Sequence, residues 1–179
     1  MRKLIVSSFI SLDGVVESPM TWASPFFDEE CKEYAYQQLA DVEFFLLGRV
    51  AYQTFSAVWP QIKGDKYIDR INALKKLVVS RTLKEVAWNA SLIAGDAATE
   101  LAKIKQERGG NIMKYGVTQL DQALLAAKLV DEYELWIMPT RVGEGKRVFA
   151  DVNASLIDLE LAGTYQFKNG VVVLKYFPR

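Results

Sequence analysis

The chain has no histidine, and among its 179 residues only one is a cysteine, Cys31. A single thiol excludes an intrachain disulfide framework. Without imidazole the common zinc sites are lost, and so is Ser-His-Asp or Cys-His catalysis, so no metal is expected. An excess of charge is missing too. The 22 Lys+Arg balance 22 Asp+Glu, so no net field draws the chain to nucleic acid or to an anionic membrane. No apolar run is long enough to span a bilayer, and Met1-Arg2-Lys3-Leu4-Ile5-Val6 turns polar too early for a signal peptide. A cytoplasmic protein is the expectation. What remains for chemistry is carboxylates, tyrosines, lysines and a bound cofactor.

Half of the residues are hydrophobic, enough for a compact α/β core, and no linker-like stretch interrupts the chain. A single domain over residues 1–179 is expected. Residues 3–10 are apolar on both alternating faces, as in a strand covered on both sides. The strand stops at Ser11-Leu12-Asp13-Gly14, and a ligand-binding edge and a plain Asx turn are equally good readings of Asp13 there. Trp22 in the next loop either covers a ligand or packs on the core. Ser24-Pro25 reads as a helix start, with Asp28, Glu29 and Glu30 matching the helix dipole. Cys31 falls on that helix's buried face, a structural thiol beside acids.

Further strands are expected at Val42–Leu47, Leu77–Val79, Ser91–Ala94, Asn111–Tyr115 and Leu135–Pro139. Gly48-Arg49 and Ser80-Arg81-Thr82 stand at two strand ends, and each offers a guanidinium whose planar fork suits phosphate. Tyr115-Gly116-Val117-Thr118 joins a strand to a helix. Thr118 reads as its N-cap, and the free amides of the first turn favour an anion. Gly143-Glu144-Gly145 lacks the third glycine and the following helix of a dinucleotide fingerprint, so it reads as a tight basic loop. A strand-like run from Leu156 to Phe167 and the Asn169-Gly170 pair before Val171–Phe177 predict a closing hairpin. The sheet is therefore mixed.

Taken in order, Ser11-Leu12-Asp13-Gly14, Leu46-Leu47-Gly48-Arg49-Val50-Ala51-Tyr52, Val79-Ser80-Arg81-Thr82-Leu83, Tyr115-Gly116-Val117-Thr118-Gln119-Leu120, Leu129-Val130-Asp131-Glu132 with Pro139, and Val142-Gly143-Glu144-Gly145-Lys146-Arg147-Val148-Phe149 form an ordered set over nearly the whole chain. On these residues the chain resembles the dihydrofolate reductase-like superfamily. It is most similar to the RibD C-terminal domain family, the riboflavin-biosynthesis reductase domain, in a stand-alone form without a preceding deaminase. The resemblance implies a three-layer α/β/α fold whose central mixed sheet ends in the antiparallel hairpin. It implies a homodimeric NADPH-dependent oxidoreductase acting on a small pyrimidine- or pterin-like substrate, as 5-amino-6-(5-phosphoribosylamino)uracil reductase does. By the same resemblance Gly48 and Arg49 lie near the cofactor phosphates, and Ser80, Arg81 and Thr82 near the adenosine and its 2′-phosphate. Gly116, Val117 and Thr118 receive the pyrophosphate. Asp13 is the catalytic candidate, with water as the other proton source. Gly14, Trp22, Asp28 and Tyr52 are assigned to the substrate, although no motif selects Asp28 over Glu29, Glu30 or Glu33. Valine at 117, where relatives often carry Gly or Ser, supports a rival reading: a non-catalytic nucleotide-binding protein that kept the fold.

Overall fold

A computed structural model describes residues 1–153 and 157–179. The strands are β1 (Leu4–Ser11), β2 (Val42–Gly48), β3 (Lys75–Val79), β4 (Ala90–Ile93), β5 (Asn111–Tyr115), β6 (Glu132–Met138), β7 (Leu159–Gln166) and β8 (Val172–Pro178). They form one mixed sheet in the order β4-β3-β2-β5-β1-β6-β8-β7. The helices are α1 (Glu29–Gln38), α2 (Arg49–Val58), α3 (Lys66–Ala73), α4 (Ala97–Gln106) and α5 (Leu120–Ala126). The mixed sheet with helices and a closing hairpin is the architecture expected from the sequence. None of the described helices is long and apolar enough to cross a membrane.

Two compact units can be separated: Met1–Leu4 with Glu33–Lys114, and Ile5–Lys32 with Tyr115–Arg179. In the first, β2 pairs in parallel with β3 and β5, and β3 with β4. Phe45, Leu46, Leu47, Val78 and Ile112 are buried there because a parallel strand is covered on both faces. Phe45, Phe55 and Trp59 stack, and Trp88 meets Trp59 edge-on. Asp65 caps α3 through the amides of Tyr67 and Ile68, and Asp96 caps α4 through that of Thr99.

A buried lysine sits beside this cluster. Lys76 is 1% exposed; its ammonium donates to the carbonyls of Asn72 and Leu74 (both 2.7 Å) and lies 4.2 Å from the Trp88 ring centroid. Burial nevertheless pulls its pKa down to about 8. The folded state therefore binds this proton less tightly than the unfolded chain, and between pH 8 and 10 stability rises with pH. At 1.36 kcal/mol per pKa unit, the rise is on the order of 2 kcal/mol. Urea unfolding at pH 8 and 9.5 is expected to show this gain, and Lys76→Met is expected to lose most of it. Equal pH slopes for the two proteins would contradict the assignment.

In the second unit β1 runs parallel to β6, and β8 pairs antiparallel with both β6 and β7. Phe9, Phe27, Trp136 and Phe167 form its aromatic centre, and the Trp136 indole N–H donates to Ser7 Oγ at 3.1 Å. Three local expectations change. The helix expected from Ser24 is only a single 3-10 turn there, Ser24–Phe26, and α1 starts at Glu29. Its cap is Asp28, whose carboxylate accepts the Cys31 amide at 3.0 Å. The hairpin is wider than a two-residue Asn-Gly turn: Phe167 N–H bonds Val171 O, Gly170 N–H bonds Phe167 O, and pairing resumes at Gln166 and Val172. The strand expected from Leu156 begins at Leu159; Leu156 itself lies outside the described residues.

Candidate functional site

In the first unit the β2–β3 register places Gly48 opposite Val79, so the Gly48-Arg49 and Ser80-Arg81-Thr82 segments leave the same edge of adjacent parallel strands. This is the edge where open α/β sheets take ligands. Gly48 precedes α2 in an extended conformation with no side-chain cap, and a Cβ built on it would meet nothing within 4 Å. No side chain caps the first turn of this ten-residue helix, whose first amides suit an anion. Arg49 is exposed and donates to Gln53 Oε1 at 3.1 Å. Ser80 shapes the second segment: its hydroxyl accepts the amides of Thr82 (3.2 Å) and Leu83 (3.0 Å), which leaves Arg81 exposed at the tip of the turn. An apolar hollow lined by Leu77, Leu92, Ile93, Ala94, Glu100 and Ile104 opens beside β3 and β4.

Tyr52 does not face solvent with these residues. It is 7% exposed, and its hydroxyl accepts the Ala87 amide at 2.7 Å. Its contact anchors the far end of the segment that begins at Ser80.

In the second unit Gly116, Val117 and Thr118 follow β5, but their amides are committed. Gly116 N–H donates to Ser7 O (2.8 Å), Val117 N–H to Ser8 Oγ (3.4 Å), and Thr118 N–H to Asp121 Oδ2 (2.7 Å). The expected cap is therefore reversed. Asp121 is fully buried, and its Oδ2 reaches back to accept the Thr118 amide and hydroxyl, the returning half of a capping box. Val117 is buried, so its extra bulk fills the core and does not stand at the strand end.

Asp13 is a heavily bonded carboxylate of this unit. It accepts Ser11 Oγ–H (2.6 Å) and the amides of Val142 (3.0 Å) and Gly143 (2.8 Å), with Arg147 Nη1 at 3.5 Å. These donors hold its pKa well below the usual carboxylate range, the Ser11 bond contributing most. A carboxylate so held is ionised at neutral pH and has no proton to give. Gly14 continues the turn, its amide donating to Ser11 O at 2.8 Å. Trp22 is half-buried, with its indole N–H on Glu17 O at 2.9 Å. Asp28 divides its carboxylate between capping α1 and accepting from the Asn169 amide at 2.9 Å, and these bonds lower its pKa as well. Burial raises the Cys31 thiol to about 11, which makes it inert. Among the described residues no three His, Cys, Asp or Glu side chains gather as a metal site.

The sequence singles out Asp13 as a candidate but not its partners. Arg147, Val142 and Gly143 reach it from about 130 positions away, and the sequence marks their loop as tight and basic and as part of the family resemblance without linking it to Asp13.

Residues 2–173 match the model of the RibD C-terminal domain. The chain belongs to the RibD C-terminal domain family. Among curated relatives, the uncharacterized protein YyaP of Bacillus subtilis (strain 168) is 29% identical over 98% of this chain and 94% of its own length. Among solved structures, a putative riboflavin biosynthesis protein from Shewanella sp. PV-4 superposes with a TM-score of 0.77 at 17% identity, covering 99% of both chains. Dihydrofolate reductase from Enterococcus faecalis, solved with NADP(H) and RAB-propyl, superposes with a TM-score of 0.61 at 14% identity, covering 99% of this chain and 96% of its own. At these identities the structural likeness establishes the fold, and the fold alone does not fix a function. The RibD C-terminal family thus accounts for the order of the strand-end motifs.

Proposed function

We propose that this protein is an NADPH-dependent reductase that transfers hydride to a small heterocyclic substrate of the pyrimidine or pterin kind, working in the cytoplasm as a homodimer. The observation that carries this reading is the family match over residues 2–173, which includes every strand-end segment described above. The residues present suit a dinucleotide phosphate. Gly48 leaves the N-terminus of α2 open, and two exposed guanidiniums, Arg49 and Arg81, stand on adjacent strand ends. In this reading Gly48 and Arg49 bind cofactor phosphates, while Ser80, Arg81 and Thr82 take the adenosine and its 2′-phosphate beside the apolar hollow. Gly116, Val117 and Thr118 border the pyrophosphate, which approaches closely at Gly116, since the three amides serve the fold and the Thr118 hydroxyl donates to Asp121 Oδ2 at 3.3 Å. Gly14, Trp22 and Asp28 border the substrate.

Bound NADPH would supply the hydride, and the protein's part is to align donor and acceptor and to exclude water from the transfer. Asp13 is held ionised, so the proton comes from water, and Asp13 acts on the loop that it binds.

A titration with NADPH that follows the four tryptophans, then nicotinamide absorbance with candidate heterocycles, tests the proposal. Quenching followed by substrate-dependent oxidation is expected. Quenching without oxidation of any acceptor would favour the non-catalytic nucleotide-binding protein. No quenching would remove both readings.

A further inference from the structure

The loop that follows β6 carries Arg141, Lys146 and Arg147, and the cofactor groups proposed above make no use of it. We propose that Asp13 and Arg147 form a latch that fixes residues 142–148 as a strap against the end of β1, and that both are positioning residues for the substrate side of the site. The proposal rests on the reductase reading.

Because β1 and β6 are parallel, with Ser11 opposite Met138, the strap leaves one strand at its C-terminal end and returns to the same end of the other. The Leu12 amide donates to Thr140 O (2.9 Å), the Val16 amide to Lys146 O (2.9 Å) and the Val148 amide to Gly14 O (2.9 Å). Val15 and Arg147 form an isolated antiparallel bridge. At Gly145 (φ +129°) a Cβ would come within 2.8 Å of Val15 Cγ1, so the strap lies too close for any side chain there. The latch closes this zipper from the side. Asp13 holds two strap amides, those of Val142 and Gly143, and Arg147 donates to the Asp13 carbonyl and to Gly143 O (3.0 Å) while facing the Asp13 carboxylate.

An exposed ion pair alone contributes little. Here a single carboxylate collects a hydroxyl, two backbone amides and a guanidinium, so its loss frees the strap's backbone as well as a surface charge. The Arg147 side chain is 48% exposed and that of Asp13 23%, so the latch stands at the ligand edge of the strands, where the strap can shape a substrate.

Hydrogen exchange of peptides covering 140–149, with steady-state kinetics, tests the latch in Asp13→Asn and Arg147→Gln. Exchange in that segment is expected to rise about tenfold in Asp13→Asn and less in Arg147→Gln, with the rest of the chain unchanged. KM for the heterocycle should rise about tenfold while kcat stays within about threefold and the pH–rate profile keeps its limbs. Unchanged exchange in both variants would overturn the latch. A collapse of kcat with a displaced pH limb and unchanged exchange would make Asp13 a proton donor and overturn the positioning role. Should Asp13→Asn not fold, Arg147→Gln leaves the Asp13 bonds to Ser11 and the strap amides intact and carries the test alone. If the wild-type protein neither binds nor oxidises NADPH, the reductase reading falls, and the exchange experiment still decides whether the latch exists.

Discussion

Replacement of Arg2 by alanine is expected to destabilise the protein by about 3 kcal/mol, the cost of breaking a part-buried ion pair and of stranding the groups the buried guanidinium served. Arg2 is 4% exposed, pairs with Glu43, donates to the carbonyls of Arg108 (3.0 Å) and Gly110, and lies 4.9 Å from the Phe44 ring centroid. Glu43 also takes Lys75 at 3.1 Å and the Gly110 amide at 3.2 Å. For a chain of this length the loss corresponds to a fall in Tm of roughly 6–12 °C. Gly109→Ala should fail for the same reason from the other side. Gly109 has φ +147°, and its Cβ would fall 2.3 Å from the Arg2 guanidinium.

The acid arm of the stability curve gives a second reading of this clamp. The Arg2 bond lowers the Glu43 pKa to about 2, helped by Lys75. Its share of stability is therefore present above the ordinary glutamate value of 4.5 and is lost as pH falls toward 2. Arg2→Ala should flatten that loss. Urea unfolding at pH 7 and pH 3 measures both effects, and an Arg2→Ala protein within about 0.5 kcal/mol of wild type at pH 7 would show the clamp to be ornamental.

Arg81→Ala is expected to weaken NADPH at least tenfold and to leave NADH nearly unchanged. A charge-assisted bond to the 2′-phosphate is worth about 1.5–3 kcal/mol, and NADH has no such group to lose. Arg49→Ala should behave differently. Under the proposal it meets phosphates common to both cofactors, so its loss should be more even. Paired fluorescence titrations with the two nucleotides separate the roles, and an equal loss of both in Arg81→Ala would remove it from the 2′-phosphate. Ser80 offers an internal control: its hydroxyl holds the amides of Thr82 and Leu83, so Ser80→Ala should weaken NADPH through the shape of the turn, with no charge removed.

Much of the fold was legible because its cause is local. Leu4-Ile5-Val6, Phe44-Phe45-Leu46-Leu47 and Leu77-Val78-Val79 mark β1, β2 and β3 in the chain itself, since a parallel strand covered on both sides carries apolar residues on both alternating faces. Asp96 announces α4 because an N-cap is satisfied within three residues, whereas Asp65, which reads as part of a Gly64-Asp65 turn, proves to cap α3 in the same way. Where two local signals competed, the sequence alone chose wrongly. Ser24-Pro25 looks like a helix start, yet Asp28 caps α1 because its carboxylate also finds Asn169 at the hairpin turn. The Gly116–Thr118 turn shows the same limit. Glycine and threonine after a strand advertise free amides, but Ser7, Ser8 and the buried Asp121 take those amides for the fold.

The sequence by itself determined the fold class, the strand ends at which chemistry can stand, and the exclusion of imidazole, disulfide and zinc chemistry. These follow from periodicity, punctuation and composition, which a chain carries along its own length. Tertiary structure alone decided what each polar group at those ends is free to do. Tyr52 turns inward to Ala87, Asp13 spends its charge on Val142, Gly143 and Arg147, and Val117 fills the core. Hydrogen bonds between residues tens to more than a hundred positions apart leave no trace in local pattern, and they separate the side chains that serve the fold from those left to meet a ligand.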